Sequence, residues 1–267
     1  MPELVTIAIE DHVADVRLNR PDKYNALSPG MFGAIIDAGK TVCADPAIRA
    51  VVLSGEGRGF CAGLDFQSFI EMESSQNGGI DIFSRSDESP ANNAQLAGYI
   101  WKQAPMPVIA AVHGVAFGGG LQIALGADIR LATPEARFSV MEIKWGIIPD
   151  MSITQTLRDL VRLDVAKELS FTGKIVSADE AVQLGLITRI CDDPLTEALK
   201  LAREIAAKSP HAIAAGKRLL DNAWHGTSKE GLMLEESLQR TLIGTPNQIE
   251  AVAANFEKRS PNFADRE

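Results

Sequence analysis

The spacing of apolar side chains along this chain changes from a period of two to a period near 3.6 and back several times. Residues 5–9 and 13–18 alternate or cluster apolar side chains on either side of Glu10-Asp11-His12, which predicts a β-hairpin. A helix is predicted from residue 28 to about 42, with Ser28 as N-cap and Pro29 in the first turn. Residues 50–55 (AVVLSG) and 106–112 (MPVIAAV) are short, partly β-branched apolar runs suited to buried strands. Strand pairs feeding helices point to a mixed α/β fold. From about residue 195 the strand signals stop. Residues 194–208, 210–224, 232–242 and 251–258 carry helical spacing, so the chain divides into a core of residues 1–194 and a helical region of residues 195–267.

Each of the two central strand signals runs into a glycine-laced turn. After the first comes Glu56-Gly57-Arg58-Gly59-Phe60-Cys61-Ala62-Gly63-Leu64-Asp65; after the second come Gly118, Gly119 and Gly120, followed by a helical pattern in Leu121, Ala124, Leu125 and Ala127. Glycines without Cβ permit positive φ and close approach of a ligand to backbone amides, and a helix start adds unpaired N–H groups. Such turns serve either tight packing or the holding of negative charge. Two of them together could offer one N–H each to a single carbonyl oxygen. Between them, residues 66–93 turn polar and Gly/Ser-rich, the mark of a mobile segment.

Composition narrows the chemistry. A formal charge of −9 over 267 residues disfavours a nucleic-acid partner, while a local basic cluster could still hold an anionic group. No apolar run reaches membrane-spanning length, and Met1-Pro2-Glu3-Leu4-Val5 carries no export signal, so a cytoplasmic protein is expected. Cys43, Cys61 and Cys191 are widely spaced, giving neither a disulfide framework nor a metal pattern, and are read as buried thiols. The histidines at 12, 113, 211 and 225 lack metal-ligand spacing. Neither a P-loop nor a G-x-S-x-G elbow is present.

GRGFCAGLD, followed about fifty residues later by AVHGVAFGGGLQIALGADIR, resembles the enoyl-CoA hydratase/isomerase (crotonase) family. The likeness continues in order through residues 137–149, residues 171–187 and both ends of the chain. It implies a spiral of ββα units, C-terminal helices that make subunit contacts in a homotrimer or hexamer, and an acyl thioester of coenzyme A as substrate rather than a permanently bound cofactor. By motif position the backbone amides of Leu64 and Gly119 would form the oxyanion hole, with Gly118 beside them. Ala62 and Gly63, with Asn25, Ala26 and Leu27, would meet the adenine side, and Asp65 and Phe66 would follow along the substrate. Phe69 and Ile70 would join Phe66 in lining the acyl pocket. Lys23, Arg20 and Arg58 are candidate phosphate partners, and Lys258 could reach a neighbour's substrate, although Asn255 stands where the family often has an aromatic residue.

The chain departs from the hydratases of that family at one acid. They carry two glutamates; here Glu142 occupies one position and Gln122 the other, and an amide has no useful acid–base chemistry. Gln122 could still orient water or substrate. Asp150, eight residues beyond Glu142, is similar to an acid of the family's dienoyl-CoA isomerases. Double-bond isomerisation is therefore the favoured reading, with hydration and a non-catalytic acyl-CoA-binding role as alternatives. Glu142 is read otherwise as a solvated surface group, and Asp150 as the N-cap of a helix over residues 151–160.

Overall fold

The computed structural model describes residues 3–68, 70, 81–87 and 89–266; the centre of the polar stretch expected to be mobile, residues 71–80, lies outside them. β1 (Val5–Glu10) and β2 (Val13–Leu18) form the expected hairpin, pairing Glu10 with Val13. Its turn residues Asp11 and His12 both have positive φ (48° and 65°), the backbone of a two-residue turn matched to strand twist. β3 (Ala50–Gly55), β4 (Val108–Val112), β6 (Ile129–Ala132) and β9 (Arg189–Ile190) extend the sheet in parallel, in the order β1-β2-β3-β4-β6-β9. α1 (Pro29–Ala44) starts where Ser28 Oγ accepts from the Met31 amide at 3.3 Å. α2 (Asn93–Gln103) opens on a reciprocal cap between Asn92 and Gln95. The two helices lay Phe32, Ile35, Ile100 and Trp101 on one face of the sheet, where Val16, Leu18, Val51 and Leu53 complete the core.

A second, smaller sheet takes the alternate strands. β5 (Val115–Phe117) lies beside β7 (Arg137–Ser139), which lies beside β8 (Val176–Ser177). Single bridges from Cys61 to Ala116 and from Leu27 to Leu64 carry this sheet onward towards the N-terminal turns. Thus β4 enters the large sheet, β5 the small one, and α3 (Gly119–Leu125) follows; β6 and β7 repeat the division. This is the ββα spiral expected from the sequence. It brings the end of each first-sheet strand's following turn into one line, which is what lets residues 61–65 meet residues 117–119.

Three local expectations are corrected. The glycine turn does not follow β4 directly, because β5 intervenes. Among its three glycines only Gly118 has positive φ (51°); Gly119 and Gly120 begin the helix. No single helix spans residues 151–160: α4 is only Ile153–Thr156, its N-cap is Ser152 in the left-handed region (φ 70°), and a 3-10 turn, Leu157–Asp159, follows. Asp150 is therefore not a helix cap.

Beyond α5 (Leu163–Thr172) and α6 (Ala178–Leu184), the helical expectation holds, and the next three helices start at side-chain caps from Asp193, Ser209 and Thr227. α7 (Pro194–Ala206) presses Ala198, Ala202 and Ala206, spaced one turn apart, onto the other face of the sheet at Val52, Ile109 and Leu131. α8 (Pro210–Ala223), α9 (Ser228–Leu242) and α10 (Pro246–Glu257) complete the chain and leave Leu220, Trp224, Leu232, Met233 and Phe256 exposed. α9 starts four residues earlier than its apolar spacing indicates, at a Thr227–Glu230 capping box, and α10 five residues earlier, at Pro246. The C-terminal tail is strapped to the sheet by Arg49, which donates to Phe263 O and Asp265 at 2.8 Å each. Among the described residues no helix is long and apolar enough to cross a membrane.

Candidate active site

The first turn is held from below by Asn25, a fully buried side chain whose Nδ2 donates to the carbonyls of Glu56, Gly59 and Phe60 at 2.9–3.1 Å. Its Oδ1 accepts from the Arg20 amide at 2.8 Å, so the side chain stabilises loop geometry. Leu27 then pairs with the 63–65 segment: its N–H donates to Gly63 O (2.8 Å) and its carbonyl accepts from Asp65 N (3.1 Å). In such a parallel bridge the amide of the intervening residue, Leu64, points to the opposite side. That side is the end of β5. Gly63, at φ 89°, sits so close that a Cβ there would come within 2.7 Å of Phe117 O.

The second turn supplies the matching half. Gly118 has φ 51° and ψ −123°, the first central position of a II′ turn, which only glycine adopts readily. Its own N–H donates to Ser139 O at 2.9 Å, and its carbonyl receives Gln122 N at 3.1 Å. Gly119 begins α3 under Met151 and Leu27; a Cβ would meet Met151 Sδ at 2.6 Å and Leu27 Cδ1 at 2.7 Å. Among the described residues neither Leu64 N–H nor Gly119 N–H has a protein acceptor. Both residues line one cavity of about 80 Å³, with Gly118, Phe66, Met141, Glu142, Trp145 and Ile147 among its other walls.

Glu142 opens the 3-10 helix Glu142–Trp145 directly after β7 and is 7 % exposed, so it is not a solvated surface group. One carboxylate oxygen, Oε1, accepts from Gln122 Nε2 at 2.6 Å; the other, Oε2, is buried without a partner. Burial raises the Glu142 carboxyl pKa above the ordinary carboxylate range, and nearby Asp150 adds to the rise, against the opposing hydrogen bond from Gln122. Asp150 is itself shifted upward by burial. Gln122 is 1 % exposed, and its Oε1 accepts from Met151 N at 2.8 Å. Its amide therefore ties Glu142 to the Asp150-Met151 peptide, a positioning task unlike the expected orientation of water or substrate.

Other expected residues fall elsewhere. Arg20 donates through Nη1 to Asp65 (2.7 Å) and to Ala26 O (3.1 Å), so one end of its guanidinium is held within the protein. Burial alone would raise the Asp65 carboxyl, but hydrogen bonds from Ser68 and Arg20 hold it at about 2. Asp65 thus acts as an anchor of its turn. Arg58 lies over the Tyr24 ring at 4.7 Å. Lys23 is exposed at the end of the 3-10 turn Pro21–Lys23, and Lys258 is exposed at the C-terminal cap of α10; neither lines the Glu142 cavity, nor do Ala26 and Leu27. Ala62 does. Ile70 is 68 % exposed and outside the cavity, while Phe69 lies outside the described residues. Cys61 is fully buried with its thiol pushed up by burial to about 12, far from the range of a nucleophile. Cys43 and Cys191 are only partly buried, short of the expectation for buried thiols.

Met141, Trp145 and Ile147 are cavity residues the sequence reading missed. The one signal was nearness to Glu142 in sequence; the 3-10 helix, in which positions i and i+3 eclipse, then sets Trp145 on the Glu142 side. The assembled parts are chemically simple. Two unpaired N–H groups can hold negative charge developing on a carbonyl oxygen, and a buried carboxylate with one free oxygen can move one proton beside it.

Comparison with known proteins agrees with this construction. The family described as Enoyl-CoA hydratase/isomerase matches residues 8–266. The mitochondrial enoyl-CoA hydratase of Pongo abelii is 34% identical over 253 residues, covering 94% of this chain and 83% of that protein. The mitochondrial Delta(3,5)-Delta(2,4)-dienoyl-CoA isomerase of Dictyostelium discoideum is 32% identical over 261 residues, covering 94% and 87%. The crystal structure of the enoyl-CoA hydratase from Bacillus anthracis superposes with a TM-score of 0.85 at 28% identity, covering 97% of this chain and 98% of that one. The spiral fold, the paired turns and the near full-length match place this chain among the enzymes of the enoyl-CoA hydratase/isomerase (crotonase) family.

Proposed function

We propose that this enzyme shifts the double bond of an enoyl- or dienoyl-CoA thioester. The thioester carbonyl oxygen would rest on Leu64 N–H and Gly119 N–H, which favour the enolate over the ground state because its charge is greater there. Glu142 would remove the proton at C2, leaving a dienolate, and return it at C4, or run the reverse. The proton count is unchanged, and no water enters the product. Asp150 would act as a second proton carrier when the chain is a conjugated diene. Coenzyme A arrives as part of the substrate, with Lys23 and Lys258 as candidate phosphate contacts. The exposed apolar residues of α8, α9 and α10 support assembly into a trimer or a pair of trimers, which sedimentation tests.

The observation that carries the proposal is the Glu142 carboxylate, with one oxygen pinned by Gln122 and the other buried, unpartnered and raised in basicity. Hydration is the competing reading, and the hydratases among the relatives favour it. It asks for a second group that handles water, and Gln122 is already engaged at both ends of its amide. Purified protein should convert 3-enoyl- or 3,5-dienoyl-CoA to a product of unchanged mass, and Glu142→Gln should lower turnover by about 100-fold or more. A product heavier by one water from 2-enoyl-CoA, with no double-bond shift, would replace this reading with hydration. Binding without conversion of any of these thioesters would make the chain a binding protein.

A further inference from the structure

Trp145 is exposed to 58 %, an unusual amount for a tryptophan that also lines the Glu142 cavity. Its ring centroid lies 4.3 Å from that of Phe66, with the planes tilted by 38°. Phe66 follows the Leu64 turn and Trp145 ends the Glu142 helix, so the ring contact bridges the two segments that supply an amide and the carboxylate. Gly146 caps that helix at φ 71°, and a Cβ there would meet nothing within 4 Å. The Trp145 ring is thus packed against Phe66 while more than half of the residue faces solvent. The cavity behind the pair is about 80 Å³, whereas pockets that enclose whole small-molecule ligands usually start near ~300 Å³.

We infer that the Phe66–Trp145 pair is a specificity gate on the acyl side of the site, restricting the thioester to short acyl chains unless the Trp145 ring swings outward. The inference rests on the acyl-CoA reading proposed above and adds the substrate class to it. Phe66 is half-buried two residues from Leu64, whereas Trp145 is exposed, so Trp145 is the half that sets chain length. Removing its ring opens the cavity towards solvent along the exposed Ile147 and Ile148, giving a longer chain an apolar path.

The test uses the full-length protein and saturated acyl-CoA thioesters from butyryl to dodecanoyl, which bind without reacting. Each methylene that becomes buried is worth roughly fourfold in affinity. Trp145→Ala should therefore raise the preference for dodecanoyl- over butyryl-CoA by at least roughly 15-fold, the worth of two methylenes. Trp145→Phe, which keeps an aromatic ring against Phe66, should stay near the parent ratio. A Trp145→Ala ratio within about threefold of the parent, or an equal loss of affinity for every chain length, overturns the gate. The two proposals fail separately: the binding series needs no turnover, and conversion of enoyl-CoA needs no chain-length effect.

Discussion

Gln122→Glu restores an acid where this chain carries an amide, and its outcome can be worked from the contacts. The parent amide spans from Met151 N, 2.8 Å from its oxygen, to Glu142 Oε1, 2.6 Å from its nitrogen. A glutamate has the same reach and keeps the bond from Met151, but it sets a carboxylate oxygen where the donor stood. Two unit charges at roughly 3 Å repel by about 6 kcal/mol at an effective dielectric near 20. That separates the two ionisations by about four pH units, on top of a Glu142 carboxyl already raised by burial. Even if relaxation halves it, the two ionisations stay about two pH units apart and the pair titrates as a unit, sharing one proton between them.

A shared proton removes the free base that a double-bond shift requires and creates an acid beside a base, which hydration requires. Turnover of 3-enoyl-CoA at neutral pH should fall by about tenfold or more, and the acidic limb of kcat/KM should move up by about two pH units. Hydration of 2-enoyl-CoA, read by mass, should gain relative to the double-bond shift. Gln122→Leu is the control: it removes the hydrogen bond that lowers the Glu142 pKa without adding charge, so its limb should also move up, but by less. A Gln122→Glu profile lying within about half a pH unit of the parent would refute the reasoning, since it would mean that residue 122 and Glu142 are not in contact.

Further outcomes follow from the same contacts. In the parent enzyme the acidic limb of kcat/KM should lie above the ordinary glutamate value, because the Glu142 carboxyl is raised; a limb at or below that value contradicts Glu142 as the base. The native state holds that proton more tightly than the unfolded chain does, so Glu142 favours folding below its unfolded pKa and opposes it once pH rises through the native one. Glu142→Gln should therefore melt above the parent at neutral pH, gaining about 1.4 kcal/mol for each pH unit by which the native pKa exceeds the unfolded one, with the gap closing in acid. Asn25→Ala removes three donated bonds and one accepted bond in a buried turn and should cost about 2–4 kcal/mol in chemical unfolding. Gly120→Ala brings a Cβ within 2.3 Å of Cys61 O, a backbone atom, and should lose more stability than Gly119→Ala, whose nearest neighbours are side-chain ends. Equal melting points for the two alanine variants would contradict that packing.

How far the residues disclosed this site depends on whether a neighbour in sequence or a neighbour in space decides each role. The hairpin, α1 and the strand at Ala50 were legible because alternation, Ser28 and Pro29 act over a few residues. The glycines of both turns were legible as a demand for close approach, but which demand each meets was not. Gly118 is needed for its backbone angles, Gly119 for Met151 and Leu27 above it, and Gly120 for the Cys61 carbonyl, a residue from a different turn. Gln122 shows the same limit more sharply. Read along the chain it is a lost acid; read across the fold it is the clasp between β7's following helix and the Asp150-Met151 peptide, leaving Glu142 a single free oxygen. Arg20 and Asp65 are a matched case: each looked like a group for a ligand, and a 2.7 Å contact, 45 residues apart in sequence, pairs them with each other. A charged or amide side chain near a motif is thus informative only after its partners are known, and a buried acid oxygen left without one in the cavity, Glu142 Oε2, is where the chemistry is to be sought.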